Sequence, residues 1–207
     1  MKIRIVGDIH RKFEKYKTVV SNTDYSIQLG DFGVGYGNAQ DWDKSVMDWQ
    51  LANPTHKFFR GNHDNLSVCK HMPNFVSDGT YDPATGIFVC GGAMSIDRFY
   101  NVEGISWWAD EELSQRDFSI VMDAYEKTKP RIMLTHDCPQ EVAQDFFYGK
   151  YKLLESSITR QALQAMFEIH KPELWVFGHW HSHRNMDFNG TKFICLEELQ
   201  HIDIEVK

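Results

Sequence analysis

Short apolar runs recur along the chain and predict β-strands, and a Gly or a Thr-His pair lies within two residues of the end of each run. The runs occupy residues 3–6, 25–29, 56–59, 87–90, 131–134 and 174–177. Between several of them, apolar residues at helical spacing predict helices at residues 11–21, 41–52 and 158–169. Strands that alternate with helices favour a mixed α/β layer fold.

Helix-start signals support two of the helical segments. Asp41 precedes an apolar stripe that begins at Trp42, so Asp41 is expected to be the N-cap of its helix. Ser114 and Asp117, three residues later, resemble a capping box, which predicts that another helix begins there.

The remaining segments are less regular. Residues 80–90 predict a hairpin around an Asp-Pro-Ala-Thr-Gly turn. Residues 91–112 predict a long loop, and a loop of this length in a compact domain is usually functional. Residues 184–206 predict two or three antiparallel strands with a turn at Asn189-Gly190.

Length and charge narrow the range of functions. A chain of 207 residues favours a single domain over residues 1–207. Its formal net charge of -7 argues against a general binder of nucleic acid, whose surface carries a basic stripe. No apolar stretch reaches the length of about 18 residues that a membrane span needs, and the first residues do not resemble a secretory signal.

The cysteines and the histidines carry different information. The four cysteines form no C-x-x-C pair, so reduced thiols in a cytoplasmic protein are expected. The ten histidines are more informative, because several of them fall in polar clusters at the ends of predicted strands.

Five such clusters carry the candidate chemistry. They are Gly7-Asp8-Ile9-His10, Gly30-Asp31-Phe32-Gly33, Gly61-Asn62-His63-Asp64, Thr135-His136-Asp137 and Gly178-His179-Trp180-His181. Because ligands of open α/β sheets lie at the carboxyl ends of strands, the clusters are expected to meet at one edge of a sheet. Within the pairs Asp8/His10 and His179/His181, residues two apart in extended backbone face the same way. Carboxylate, imidazole and amide oxygen ligands together suit divalent metal ions.

The order of these motifs resembles the calcineurin-like metallophosphoesterase superfamily. The motifs run from Gly7 to His181 and therefore cover most of the chain, and five motifs in order are much more specific than any one alone. The resemblance implies a four-layer α/β/β/α sandwich with mixed sheets and two divalent metal ions at the strand ends. Mn²⁺ is the first expectation, and Fe, Zn²⁺ and Ni²⁺ are compatible with the same ligands.

The resemblance also implies a role for each functional residue of the motifs. The first metal would be held by Asp8, His10 and His181, the second by Asn62, His136 and His179, and Asp31 would bridge the two. His63 would be the general acid, and together with Asn62 it would contact the substrate phosphate.

The implied activity is hydrolysis of phosphate mono- or diesters. Two divalent ions can share a water and lower its pKa, which gives a bridging hydroxide that attacks phosphorus while His63 protonates the leaving oxygen. One position departs from the family pattern. Val34 stands where many members have an Asp that orients the catalytic imidazole. Either another carboxylate takes over this support, with Asp64 and Asp137 as the first candidates, or His63 works without it.

The long loop supplies weaker candidates for substrate binding. Residues 91–98 look like the corresponding segment of small phosphoesterases of phages and bacteria, and the chain has no room for a cap domain. Arg98 would then bind the substrate phosphate, since a guanidinium suits bidentate phosphate contact. Trp107 or Trp108 would stack on a base or sugar. Packing and surface pairing explain these three residues equally well.

The expected partner is a phosphate-ester substrate, for which a nucleotide is one candidate. A metal-dependent nuclease is an alternative, although the acidic charge counts against it. A non-catalytic scaffold of the same fold is a second alternative. Such scaffolds usually lose metal ligands or the catalytic histidine, and both are retained here.

Overall fold

Two β-sheets form the centre of this computed structural model, which describes residues 1–38, 40–147 and 157–206. The strands are β1 (Lys2–Val6), β2 (Ser26–Gln28), β3 (His56–Phe58), β4 (Tyr81–Asp82), β5 (Ile87–Cys90), β6 (Ile132–Thr135), β7 (Leu174–Phe177), β8 (Arg184–Phe188), β9 (Thr191–Cys195) and β10 (His201–Glu205). The first sheet has the order β10-β1-β2-β3, and the second has the order β4-β5-β6-β7-β9-β8. Neighbouring strands run parallel, except that β10, β4 and β8 pair antiparallel at sheet edges.

Helices cover the outer face of each sheet. They are α1 (Phe13–Val20), α2 (Gln40–Ala52), α3 (Leu66–Cys69), α4 (Gln115–Thr128), α5 (Gln140–Phe147) and α6 (Ile158–Ile169). Buried side chains of α1, α2 and α3 form one apolar cluster with Val6 and Phe58 of the first sheet. Buried side chains of α4, α5 and α6 form another with Met133 and Trp175 of the second sheet. No described helix combines the length and the apolar character needed to cross a bilayer.

Alternation along the strands explains why the two sheets stack. In β6, Ile132 and Leu134 point between the sheets, whereas Met133 points toward the helices. Ile3 and Ile5 of β1 meet them from the first sheet. The described structure is therefore an α/β/β/α sandwich of four layers, and the fold implied by the sequence resemblance is confirmed.

Most of the predicted elements are present, with differences at their ends and in the tail. Ser114 caps α4 as predicted, since its hydroxyl accepts from Asp117 N at 3.2 Å. Asp41 is not an N-cap, because α2 already includes Gln40. The predicted turn at Asn189-Gly190 joins β8 to β9, and both residues adopt the positive φ that such a turn needs.

The sequence patterns did not predict two of the helices or the pairing partner of the last strand. The helix α3 is too short to show a period, and α5 was missed although Val142 and Phe146 recur at helical spacing in it. The last strand of the tail, β10, leaves its hairpin neighbours and pairs with β1 in the other sheet. An alternating pattern predicts a strand but does not identify its partner.

Core packing between the sheets gives a first testable prediction. Ile5 is fully buried there, so Ile5→Ala is expected to lower the free energy of unfolding by about 2–5 kcal/mol through lost burial and a cavity. Ile120 on α4 is 62% exposed, and Ile120→Ala is expected to change the same quantity by less than about 0.5 kcal/mol. Urea unfolding measures both variants, and equal losses would contradict the assigned layers.

Candidate metal centre

Loops that follow five strands bring all the predicted metal ligands to one place. Three of these strands, β1, β2 and β3, belong to the first sheet, whereas β6 and β7 belong to the second. The expectation of one sheet edge is therefore wrong in this respect, because the candidate site lies across the ends of both sheets. The residues brought together are Asp8, His10, Asp31, Asn62, His136, His179 and His181.

The first group of candidate ligands comprises Asp8, His10, Asp31 and His181. The nitrogen or oxygen atom that each would offer to a metal lies within 4.8 Å of the others. His10 Nε2 lies 2.8 Å from His181 Nε2 and 3.8 Å from an oxygen of Asp31. His181 Nε2 lies 3.3 Å from Asp8 Oδ2. These four side chains thus point at one shared position.

The second group comprises Asp31, His136 and His179, again within 4.8 Å. His136 Nε2 lies 3.2 Å from Asp31 Oδ1 and 3.0 Å from Asn62 Oδ1. Asp31 belongs to both groups, and this is the position that the sequence resemblance assigns to a bridging ligand.

Hydrogen bonding shows that the second group fits a cation. His136 Nδ1 lies 2.7 Å from the Leu29 carbonyl, which can only accept, so the proton is on Nδ1 and Nε2 of the neutral ring presents a lone pair. The nearest oxygens, from Asp31 and Asn62, are acceptors as well. Such a cluster of lone pairs requires a positive charge between them, and a bound divalent ion would supply it.

The pKa values follow from the same arrangement. Burial alone would lower the pKa of His136, but the charge and hydrogen bond of Asp31, with Asp8, raise it to about 10. In the metal-free protein a proton therefore occupies the place of the cation. Burial lowers the pKa of His179 to about 4, although the nearby Asp137 opposes this effect. His179 is neutral at pH 7 and keeps a lone pair for a metal.

Four of the candidate ligands lie on unusual backbone. His10, Asp31, His179 and His181 have φ values of 41°, 55°, 67° and 45°. Non-glycine residues rarely adopt this left-handed region, and each such residue costs on the order of 1–3 kcal/mol. The rest of the fold must hold these loops in place, and strain of this kind concentrates at functional sites.

Glycines next to the ligands are required by close approach. A Cβ on Gly61 would lie 2.2 Å from Asp31 Oδ1 and 2.7 Å from His136 Nε2. A Cβ on Gly178 would lie 2.2 Å from Asp8 Oδ1. Any side chain at these positions would therefore push a candidate ligand out of place.

Gln28, which the sequence analysis did not single out, ties two ligand loops together. Its Nε2 donates to the carbonyl oxygens of Gly7 and Gly30, and its Oε1 accepts from Gly30 N at 3.1 Å. The side chain is fully buried at the end of β2. A polar residue inside an apolar run was the available signal, because a buried amide needs partners.

Asp64 holds the Asp31 loop to the Asn62 loop instead of supporting His63. Its buried carboxylate accepts backbone N–H groups from both loops. The donors are Phe32 N at 3.1 Å, Gly33 N at 2.6 Å, Val34 N at 3.0 Å and Gly61 N at 2.8 Å. Both oxygens are therefore used by the backbone.

Asp137, the other expected support for His63, is also engaged elsewhere. Its Oδ1 accepts from Trp180 Nε1 at 2.9 Å, and its Oδ2 lies 3.5 Å from Arg160. Asp137 thus holds the indole between His179 and His181. Neither proposed carboxylate supports His63, and the remaining alternative, an unsupported histidine, agrees with the described residues.

His63 lies over the ligands and is fixed through its backbone. Its N–H donates to Asp31 Oδ1 at 2.8 Å. Its ring packs edge-on against His10, with centroids 5.4 Å apart, and against Tyr36 at 5.5 Å. No carboxylate in the described parts of the chain lies within hydrogen-bond distance of this ring.

The weaker substrate candidates do not line the cleft of the metal ligands. That cleft has a volume of about 240 Å³ and includes Asn62 and His63. Arg98 and Trp107 line a neighbouring cavity of about 650 Å³. Trp108 is buried, and its ring lies 6.1 Å from that of Tyr36. Contact of these three residues with a substrate stays a prediction.

Comparison with known families agrees with this geometry. The family model described as calcineurin-like phosphoesterase matches residues 1–183, and the chain belongs to this family. A comparison with curated proteins gave no significant match.

Solved structures show the same fold at low sequence identity. A candidate 5'-nucleotidase from Staphylococcus aureus, solved with alpha-ketoglutarate, is 12% identical with a TM-score of 0.65, covering 100% of this chain and 51% of that one. This chain therefore spans about half of that protein. A dimetal phosphatase from Danio rerio is 11% identical (TM-score 0.55, 96% and 88% covered). Phosphopantetheinyl hydrolase from Mycobacterium tuberculosis is 16% identical (TM-score 0.53, 95% and 89% covered).

The close approach at Gly178 gives a second prediction. Gly178→Ala is expected to displace Asp8 and to weaken binding of divalent metal, measured by isothermal titration with Mn²⁺. Gly104→Ala is the control, because a Cβ there meets nothing within 4 Å, and strain at its positive φ is the only expected cost. Equal metal affinity in the two variants would show that Asp8 is not a ligand.

Proposed function

We propose that this protein is a metal-dependent phosphoesterase that hydrolyses phosphate mono- or diesters at a centre of two divalent ions. The main support is the position of Asp31, whose carboxylate belongs to two neighbouring groups of ligand atoms. One carboxylate shared by two such groups is the arrangement that a pair of adjacent ions requires.

The residues of the two groups would each hold one ion. Asp8, His10 and His181 would hold the first ion, and Asn62, His136 and His179 the second, with Asp31 shared. Mn²⁺ is our choice for both positions, and Fe, Zn²⁺ and Ni²⁺ suit the same nitrogen and oxygen ligands. Bound ions of this kind polarise phosphoryl oxygens and lower the pKa of water, which makes a nucleophile available near neutral pH.

His63 is proposed as the general acid. Its backbone N–H donates a hydrogen bond to Asp31, which fixes the position of His63 relative to the proposed metal centre. Its ring lines the cleft beside Asn62. From there the imidazolium would contact the phosphate and donate a proton to the leaving oxygen. Because no described carboxylate supports the ring, its orientation depends on the packing of His10 and Tyr36.

The size of the cleft bears on the substrate. A volume of about 240 Å³ is below the roughly 300–1,000 Å³ of pockets that enclose a drug-sized ligand. It therefore suits a phosphate group whose larger substituents extend outside, as in a nucleotide or a diester. The names of the structural relatives, a phosphatase, a candidate nucleotidase and a phosphopantetheinyl hydrolase, support phosphate esters as the substrate class.

A reducing cytoplasm is the proposed location. The four cysteines are all free and buried, and burial raises the pKa of each thiol well above its usual value. Buried thiols of this kind are structural and unreactive, and they are compatible with a compartment in which disulfides do not form.

The proposed activity is tested with metal-reconstituted protein on p-nitrophenyl phosphate, bis-p-nitrophenyl phosphate, cyclic nucleotides and single-stranded DNA. We expect Mn²⁺-dependent hydrolysis of at least one small ester, lost on chelation and reduced to background in Asp31→Asn. Binding of metal without cleavage of any ester would favour a scaffold, and preferential degradation of DNA would favour a nuclease.

The role of His63 is tested by the leaving group. His63→Asn is expected to keep its metal content and to lose about 10²–10⁴-fold in rate on alkyl phosphates, which need a proton donor. The loss on p-nitrophenyl esters should be much smaller, because that leaving group departs without protonation. His71→Asn, at an exposed position, is the control. An equal loss on both substrate types would exclude the acid role.

A further inference from the structure

A chain of hydrogen bonds leads from the long loop to the ligand Asn62. Asn62 Nδ2 donates to Ser95 Oγ at 3.0 Å, and Ser95 Oγ donates to Glu111 Oε2 at 2.5 Å. Ser95 N donates to the other oxygen of the same carboxylate at 3.0 Å. All three residues are buried, with 2%, 3% and 5% exposure respectively. Glu111 belongs to neither group of ligand atoms.

The chemistry of the groups fixes the direction of every bond in this chain. An ionised Glu111 can only accept, so the single hydroxyl proton of Ser95 must point toward it. The Ser95 oxygen then has only lone pairs left for Asn62, which must present its Nδ2 donor. The other end of the amide, Oδ1, consequently faces His136 Nε2 and the second ligand group.

The opposite orientation of the amide would take the oxygen ligand away from the second position. A flipped amide would place Nδ2, which carries protons and has no lone pair for a metal ion, against His136 Nε2 and the second ligand group. The hydrogen bonds to Ser95 and Glu111 oppose this flip.

Arg60 fixes the loop that carries Glu111 relative to the loop that carries Asn62. Its Nη1 donates to the carbonyl oxygens of Asp110 at 2.7 Å and Glu111 at 2.9 Å. Its Nε pairs with Asp78 at 3.0 Å, and the side chain is almost fully buried. Because Arg60 lies two residues before Asn62, it links the loop that carries Glu111 to the loop that carries the ligand.

We propose that Ser95 and Glu111 are positioning residues that keep the amide oxygen of Asn62 turned toward the second metal ion. The inference rests on the proposed function, since it assumes that an ion binds there. Glu111 acts only through Ser95 and touches neither the ion nor the substrate. In this role the loop at residues 91–112 tunes metal affinity from outside the ligand set.

The experiment reverses the direction of the hydrogen bonds between Glu111, Ser95 and Asn62 by an isosteric substitution. In Glu111→Gln, the new amide can donate to Ser95 Oγ, so the hydroxyl can turn toward Asn62 and allow the flip. Ser95→Ala breaks the same chain without adding a donor, whereas Ser95→Thr keeps the hydroxyl. Glu112→Gln is the matched control, because Glu112 accepts from Ser157 Oγ and Thr159 N and makes no bond to Asn62.

The readout is binding of Mn²⁺ alone, by isothermal titration and by the electron paramagnetic resonance signal of a coupled ion pair. For Glu111→Gln and Ser95→Ala, we expect unchanged affinity for the first ion and about 10–100-fold weaker binding of the second. Ser95→Thr and Glu112→Gln should resemble the unaltered protein. Thermal unfolding of each variant shows whether it is folded. If Glu111→Gln does not fold, the comparison of Ser95→Ala with Ser95→Thr tests the proposal.

The outcomes separate this inference from the proposed function. If the unaltered protein binds two ions and cleaves esters, but Glu111→Gln and Ser95→Ala bind the second ion as tightly as Glu112→Gln, the positioning role is overturned and the proposed function stands. If the unaltered protein binds no second ion, the two-metal proposal itself fails. A selective loss of the second ion in the two variants supports the role.

Discussion

The candidate site depends on one constraint, which is that several buried acceptor atoms converge without donors between them. Asp31 Oδ1, Asn62 Oδ1 and the lone pair of His136 Nε2 meet within hydrogen-bond distance. Such a cluster is unfavourable in a folded protein unless a proton or a metal ion neutralises it. The hydrogen bonds of Asp64 and Gln28 and the glycines beside the ligands all serve to hold this cluster together.

The candidate ligand residues were predictable, because strand ends can be recognised from apolar runs that stop at glycine. The order of the motifs then gave the family resemblance that divides these candidates between two metal ions, and the structure brings all of them together. What the sequence did not indicate was that the clusters come from two sheets, since alternation specifies a strand without specifying its partner. The path of β10 was missed for the same reason.

The supporting residues were harder to predict than the ligands. Asp64 stands next to His63 in the chain and was one of the carboxylates expected to support its imidazole, yet its carboxylate is satisfied by four backbone N–H groups. Asp137 likewise holds Trp180. Ser95 and Glu111 are sixteen residues apart, and their connection appears only when the loop is folded. Hydrogen-bond partners depend on three-dimensional positions that a linear pattern does not contain.

The location of the site across both sheets has a mechanical consequence. Asp8 from the first sheet accepts the N–H of His179 from the second, so the sheets are linked at their ends even before metal binds. Metal ions held by residues from both sheets would cross-link the two layers of the sandwich. The alignment of one sheet over the other would then set the distances between ligands. A core substitution far from the site that shifts one sheet relative to the other by a fraction of an ångström would then weaken metal affinity, even though every candidate ligand residue is retained.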